Sequence, residues 1–493
     1  MKHSRYYLPG ALFVALLVLV LGSVAAGAQQ ITGTIVGTVR DSRGAMVTTA
    51  TITATNVDTS FSSSTTADSQ GAYRIQYLPV GNYTVEVDAA GFKKFVQENL
   101  VITIDQTQTL NVKLTVGGES QTITVTEAPP LVDTETAGLG RTVDSDEIIG
   151  LPLVNRNAYA ELNLTPGVMT NSASDSANPN GTPNFVLGVP STQVVINGGM
   201  DNGVPMVSYY LDGGINMTGI RNYGNPLPNP DAIKEFRVET SNFAAQYGRM
   251  SAGVVSAVTK SGANRFHGSL FEFNRNTDLN AYYWKATTKT PYHRNNFGGT
   301  VGGPVKRDKA FFFGSYAGLR QIIGQQVIGQ VFTAAERLGD FTGDSTKVYM
   351  PGTKTQVMGT NSSPGCGVPT LNCVPASLLD KTAATLMAKY IPPPNVPGGA
   401  TYSGFYNAPT NQDEYLAKYD ETISKKDRVA ASFFYLNTLQ YLYGGGDFPY
   451  MQNQSFAKQY NTNISDTHIF NATTINQAWL TYTRVMGGRL RNL

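Results

Sequence analysis

The sequence is short of charge. Of its 493 residues, 15% are Asp, Glu, Lys or Arg, against about 25% in an average soluble domain. Lys and Arg number 37 and Asp and Glu 35, for a net charge of +2, which leaves no basic footprint for nucleic acid. Cysteine is nearly absent, with Cys366 and Cys373 alone. Two cysteines cannot staple a chain of this length, and C-x6-C without further ligands is no zinc site. Histidine is scarce as well. His3, His267, His293 and His468 are scattered, and no H-E-x-x-H or H-x-x-E pattern gathers them for catalytic zinc. There is no G-x-S-x-G elbow and no phosphate-binding loop. These absences leave no catalytic residue, cofactor or metal ligand to nominate, so the chain reads as a non-enzyme. Long apolar runs are missing too. The longest, Ala11 to Leu21, covers eleven residues and falls short of the ~20 a helix needs to span a bilayer. Any membrane role falls to strands.

What is present is glycine, at 50 residues, proline, at 25, and abundant Thr, Ser, Asn and Gln, a mixture suited to strands and turns. The N-terminus is an address. Lys2 and Arg5 precede the apolar run and Ala26-Gly27-Ala28 closes it, the pattern of a secretory signal over residues 1–28 cleaved between Ala28 and Gln29. Export makes a disulfide between Cys366 and Cys373 chemically allowed, as a clamp on a small loop; two free thiols are the alternative.

From 29 to 117 short alternating segments recur between turn signals such as Asp41-Ser42-Arg43-Gly44 and Asp68-Ser69-Gln70-Gly71. About seven strands in under 90 residues predict a β-sandwich. From 118 to 265 the chain turns Gly- and Asn-rich, with strands near Gln193–Asn197, Tyr209–Asp212 and Ile233–Glu239. Helical pieces at Asp146–Ile149 and Ala158–Leu164 make this a small α+β unit. Asp144-Ser145-Asp146-Glu147 lacks the spaced ligands of a calcium loop and reads as a helix N-terminal cap. After Phe266 the strands lengthen and their apolar faces turn aromatic. Tyr415, Ala417, Tyr419 and Ile423 share a face opposite Lys418, Asp420 and Thr422, and Val429, Ala431, Phe433 and Tyr435 line the return strand. A second hairpin spans Tyr460–Phe470 and Ile475–Val485. Dyad alternation over ~10 residues with many aromatics is the signature of a transmembrane β-barrel; a soluble sandwich fits the periodicity equally well. Tyr282-Tyr283-Trp284 and Phe311-Phe312-Phe313 are expected in a bilayer-interface girdle, with sugar stacking as the alternative. A long Pro- and Gly-rich loop is expected from about 319 to 412.

Certain runs carry a resemblance. Gly37-Thr38-Val39-Arg40-Asp41, Gly71-Ala72-Tyr73 and Leu78-Pro79-Val80-Gly81-Asn82-Tyr83 resemble a carboxypeptidase regulatory-like module, of the carbohydrate-binding-like sandwich class. Leu151-Pro152-Leu153, Asn155-Arg156-Asn157, Leu164-Thr165-Pro166-Gly167-Val168, Tyr210-Leu211-Asp212-Gly213 and Val258-Thr259-Lys260-Ser261-Gly262 resemble the Oar-like TonB-dependent outer-membrane receptors of acidobacterial type. So do Asn296-Phe297-Gly298-Gly299 and Phe311-Phe312-Phe313-Gly314. The resemblance implies a mainly β protein: an N-terminal Ig-like sandwich in the periplasm, a plug over 118–265, and the first strands of a transmembrane β-barrel over 266–493. It implies residence in the outer membrane, contact with its lipid, and TonB as energy-coupling partner. An unidentified extracellular substrate would meet the long loop. The TonB box of the family would fall at Thr122-Ile123-Thr124-Val125-Thr126, an alternating segment able to add as a strand to a partner; an ordinary sandwich or linker strand is the alternative. Outside this family, the same sandwich pattern fits a cell-surface adhesin. Plugged barrels have ~22 strands, whereas about seven are counted after Phe266. The expectation is therefore the N-terminal part of a longer receptor.

Overall fold

The computed structural model describes residues 31–117, 121–126, 138–151, 156–170, 185–186, 189–190, 194–201, 204–219, 223–244, 247–248, 250–282, 284–285, 289–443, 452–471 and 474–491. The signal segment, with its cleavage between Ala28 and Gln29, lies outside the described residues, as does most of Leu151–Asn155.

Nine strands build the N-terminal unit: β1 (Thr32–Asp41), β2 (Thr51–Asn56), β3 (Ser62–Thr66), β4 (Ala72–Pro79), β5 (Gly81–Asp88), β6 (Lys94–Ile102), β7 (Thr107–Thr109), β8 (Val112–Leu114) and β9 (Thr122–Val125). One sheet runs β4-β1-β7 with β8 also on β1, the other β3-β2-β5-β6-β9. Alternation explains the sandwich. Tyr83, Val85 and Val87 point inward from β5 between half-buried Thr84 and Glu86, meeting Ile35, Val39, Ile52 and Leu78 in one core. The Tyr83 hydroxyl donates to the Pro79 carbonyl at 2.8 Å, which ties down the Leu78-Pro79-Val80-Gly81 corner.

The middle unit contains β10 (Leu139–Asp144), β11 (Val168–Thr170), β12 (Phe185–Val186), β13 (Val189–Pro190), β14 (Val194–Ile196), β15 (Met200–Asp201), β16 (Val204–Pro205), β17 (Val207–Leu211), β18 (Gly214–Ile215), β19 (Ile233–Ser241) and β20 (Gly253–Thr259). Its main sheet has the order β10-β19-β20-β17-β18. A short helix, Ser145–Gly150, starts where the Asp144 carboxylate accepts from the N–H groups of Asp146 and Glu147, an N-cap that satisfies otherwise orphaned donors.

The rest is one antiparallel meander: β21 (His267–Asn276), β22 (Tyr292–Lys306), β23 (Ala310–Gln330), β24 (Thr401–Thr422), β25 (Asp427–Tyr443), β26 (Gln452–Asn471) and β27 (Thr474–Arg491). Each pairs with the next, and β21 and β27 are the two edges of an unclosed sheet. No helix among the described residues is long and apolar enough to cross a membrane. The expected loop from 319 to 412 needs correction. β23 and β24 stay in register from Leu319↔Gln412 up to Gln330↔Thr401, so the true connection is 331–400. Backbone pairing needs no apolar face, and the Gln- and Gly-rich strand ends keep pairing where the hydrophobic period has stopped. The remaining connection is tied together by Cys366–Cys373, bonded with Cα atoms 6.5 Å apart, and by Asn372. The Asn372 Oδ1 accepts from Val348 N at 2.9 Å and Gln356 Nε2 at 2.8 Å.

Candidate functional site

The inner face of the meander and the middle unit share one interface, in which the apolar core of the middle unit continues into Phe313, Leu416, Phe434 and Leu436 and polar side chains on the same face surround that contact. Tyr210-Leu211-Asp212-Gly213 forms the β17–β18 hairpin. Asp212 (φ 47°) and Gly213 (φ 81°) occupy the two central positions between Leu211↔Gly214, the left-handed pair of a type I′ turn. An added Cβ at Gly214 would lie 1.8 Å from Asn463 Oδ1, so the turn sits directly against the wall. The Asp212 carboxylate accepts from Thr259 N at 2.9 Å and Thr259 Oγ1 at 2.8 Å. Lys418, from the inner face of β24, completes the group, with Nζ 3.3 Å from Asp212 Oδ1 and donating to the Thr259 carbonyl at 3.0 Å. Both ends of this ion pair are buried, at 8% and 5% side-chain exposure. Two of the family-like motifs thus meet at one wall lysine.

Three further clasps follow. Glu414, one turn of the pleat above Lys418, accepts from Asn229 N at 2.7 Å and Asn229 Nδ2 at 2.8 Å. Arg156, of the Asn155-Arg156-Asn157 motif, pairs with Asp231, which accepts from Ser269 Oγ of β21 at 3.1 Å. Its guanidinium lies 4.4 Å and 4.3 Å from the ring centroids of Phe271 and Phe273, a cation–π seat. On β26 a ladder of amides, Gln459, Asn461 and Asn463, reaches Asn216 Oδ1 at 3.0 Å, the Ile215 carbonyl at 3.3 Å and the Leu211 carbonyl at 3.1 Å. The sequence reading overlooked this ladder, although amides spaced two apart in an otherwise aromatic strand were its visible signal.

The outer face is different in kind. Phe297, Tyr316, Tyr415, Tyr435 and Tyr460 form a row across β22 to β26, with consecutive ring centroids 6.2, 5.1, 6.2 and 4.9 Å apart. Above it lie Asp413, Asn437 and Lys458, and below it Phe312, Tyr419, Phe433, Ile464 and Leu480. Of the residues expected in a girdle, Phe312 shares the outer face with Tyr419, and Phe311 and Phe313 do not. Trp284 is 90% exposed and Tyr282 59% exposed in the β21–β22 connection, while Phe311 and Phe313 are buried on the inner face. A cluster of aromatic letters says nothing about height along a barrel axis, which pairing register decides.

Thr122–Val125 is β9, paired in parallel with β6 through Lys94↔Thr122 to Gln97↔Val125. It is a strand of the sandwich sheet. The sandwich in turn touches the middle unit, where Glu235 accepts from Ile104 N–H. Burial raises Glu235 from 4.5 to about 7 despite that bond. Asp105 next to it is raised from 3.8 to about 7, first by burial and then by the nearby charge of Glu239. No group of metal-ligating side chains occurs among the described residues.

Residues 258–492 match the family model of an outer membrane beta barrel domain, and residues 34–115 match a carboxypeptidase regulatory-like domain. The TonB-dependent transporter Oar of Myxococcus xanthus is 29% identical over 294 residues, 58% of this chain and 26% of that protein. The chain is a homologue of that transporter and carries an outer membrane beta barrel domain. It is an outer-membrane protein, and it spans about a quarter of the length of its curated relative. Among solved structures, the outer membrane transporter YddB from Escherichia coli is similar at 12% identity and a TM-score of 0.40, over 67% of the receptor and 37% of that chain. A ferric enterobactin receptor mutant from Pseudomonas aeruginosa, in complex with enterobactin, is similar at 12% identity and a TM-score of 0.38, over 70% and 41%.

Proposed function

We propose that the receptor takes up an extracellular substrate through the outer membrane, using energy delivered by TonB, and performs no chemistry on it. In this reading residues 118–265 are the plug, the meander is barrel wall, and the free edges of β21 and β27 are where further strands pair, since lipid has no water to satisfy them. The observation that carries the reading is the polar interface itself. Beside its apolar contact with Phe313, Leu416, Phe434 and Leu436, the unit is held to the wall by separate hydrogen-bonded clasps, which can be loosened one by one without unfolding it. Such an interface suits a plug that must rearrange inside a water-filled lumen.

The folded connection 331–400 is the proposed contact surface for a glycan, peptide or chelate, because loops on a rigid scaffold carry recognition. Thr122, Ile123, Thr124, Val125 and Thr126 are the proposed TonB-coupling segment. Its sequence has no charge and alternates Thr with β-branched apolar residues, which suits strand addition to a partner sheet. Deleting Thr122–Thr126 and measuring binding to the TonB C-terminal domain tests this: binding is expected to vanish, and unchanged affinity removes the assignment.

A further inference from the structure

We infer that the sandwich is a cover over the buried Asp212–Lys418 pair, held so that it detaches as one folded body while the middle unit is still fixed to the wall. The inference goes beyond uptake as such. It states which of two joints opens first, and it stands whatever the substrate is.

One end of the sandwich does the covering. The start of β1 and the turns β2–β3, β4–β5 and β6–β7 all lie at that end, since Thr32 pairs with Pro79, Asn56 with Tyr83 and Gly81 with Ile102. Between this end and the rest of the receptor is a cavity of about 600 Å³. Thr32 and Phe61 line it from the sandwich, Lys260 from the middle unit and Ser432 from the wall. Asp212 and Lys418 line it too, so the ion pair that fixes the β17–β18 turn to the wall stands directly behind the sandwich.

The apolar cores rank the two joints. The core of the middle unit runs on into Phe313, Leu416, Phe434 and Leu436 of the wall. The core of the sandwich is a separate cluster, drawn from residues of the sandwich alone. Parting the sandwich from the rest leaves both clusters whole, whereas parting the middle unit from the wall exposes apolar surface to water.

Polar contacts hold the sandwich at two places. At the rim, Asn264 lies between the β2–β3 turn and the β22–β23 turn. Its N–H donates to the Asp58 carbonyl at 2.9 Å, and its Nδ2 donates to Ser60 Oγ at 3.2 Å and Asp308 Oδ1 at 2.7 Å. Its Oδ1 accepts from Asp308 N at 2.8 Å. The second place is the bond from Ile104 N to Glu235. The Asn264 side-chain bonds are exposed, and such a bond exchanges for one to water at small net cost. Once the sandwich has left, bulk water reaches Asp212 and Lys418, and the higher dielectric weakens their attraction several-fold. Detachment of the sandwich therefore precedes and eases release of the middle unit.

The test follows energy transfer between dyes on paired cysteines in the full chain, in detergent micelles, through a urea titration. The native cysteines are bonded to each other and take no dye. Thr66→Cys/Lys425→Cys reports the sandwich against the wall, Leu164→Cys/Lys425→Cys the middle unit against the wall, and Arg43→Cys/Thr66→Cys the sandwich itself. Transfer in the first pair is expected to be lost at lower urea than in the other two. Loss of the first together with either of the others overturns the inference, because the sandwich then unfolds in place or leaves with the middle unit. Asn264→Ala is expected to lower the first midpoint and leave the second unmoved. Ser60→Gly/Asp308→Gly should do the same, since it removes both acceptors of Asn264 Nδ2 at positions of φ 57° and 63° that glycine adopts freely. A first midpoint unmoved by both variants removes the rim contact from the account. Cover is read separately, with a charged methanethiosulfonate reagent. Ser432→Cys is expected to react about tenfold faster in the Asn264→Ala background. Thr438→Cys, buried on the same face and nearer the 331–400 connection, should react at an unchanged rate. Equal rates at Ser432→Cys with and without Asn264→Ala would show that the sandwich covers nothing.

Discussion

Asp212 shows what a single residue does at the interface between the middle unit and the meander. Its left-handed backbone closes the β17–β18 hairpin, its carboxylate takes both Thr259 donors, and its charge meets Lys418. Asn tolerates the same backbone region, so Asp212→Asn keeps the turn and removes only the charge. Lys418 is then left buried without its counter-charge, holding only its bonds to Thr259, and breaking a buried pair costs about 3–5 kcal/mol. The expected result is a large loss of stability of the middle unit for Asp212→Asn, seen as a lower urea midpoint for its proteolytic protection. Adding Lys418→Met should recover much of it, because removing both charges of a buried pair is often near neutral. Additive losses in the double variant would show that the two side chains do not act as a pair. Both residues were visible in the sequence, Asp212 in a turn motif and Lys418 on the polar face of an alternating strand. Their meeting was not, since 206 residues separate them and only the register of β24 brings Lys418 to the turn.

Among the elements, the turn 103–106 between β6 and β7 and the strand β19 form the joint between the sandwich and the middle unit. Asp105 and Glu235 both hold their protons up to about pH 7 there, facing Glu239 and Arg237 on β19. Carboxyls raised in the folded state bind more protons than they do in the unfolded chain, so stability falls as pH rises between the two values. The joint is expected to be tightest below about pH 4, to weaken from pH 4 to 7, and to change little above. Hydrogen exchange at the Ile104 amide, followed between pH 5 and 8 and corrected for intrinsic rates, reads this directly. Asp105→Asn should remove part of the dependence and leave the share of Glu235; an unchanged profile would dismiss Asp105 as a contributor. The elements themselves were largely legible. Period-two alternation located β5, β24 and β25, and turn residues bounded them. Less legible were the ends of β23 and β24, where pairing outlasts the hydrophobic period, and the docking of β9, where a four-residue strand looks the same whether it belongs to a linker or to a sheet.

For the molecule as a whole, the outer face sets the position of the bilayer. On β24 the polar rows at Asp413 and Glu421 lie eight residues apart, about 27 Å along the strand at ~3.4 Å per residue. At the ~40° tilt of such barrels that is roughly 20 Å of height, comparable to the ~25 Å apolar band of outer-membrane proteins. The tyrosine row then marks the upper interface, with the 331–400 connection above it and the sandwich at the opposite end. Cysteines introduced at Phe433 and Leu480, both exposed on the outer face, are expected to carry fluorophores that a lipid-phase quencher reaches. One at Ser432, buried on the inner face, should be protected several-fold. Equal quenching at all three would refute the assigned faces.

Composition and alternation by themselves determined the class of this protein: strands rather than helices, and a sandwich followed by aromatic-faced hairpins. Those properties are local, because which way a side chain points along a strand depends only on its odd or even place. Contacts across the fold depend on register, and a shift of one residue would turn Lys418, Glu414 and the β26 amides toward lipid. Only the tertiary structure decided which tyrosines form one outer row, which motif residues clasp the wall, and that Thr122–Val125 lies against β6.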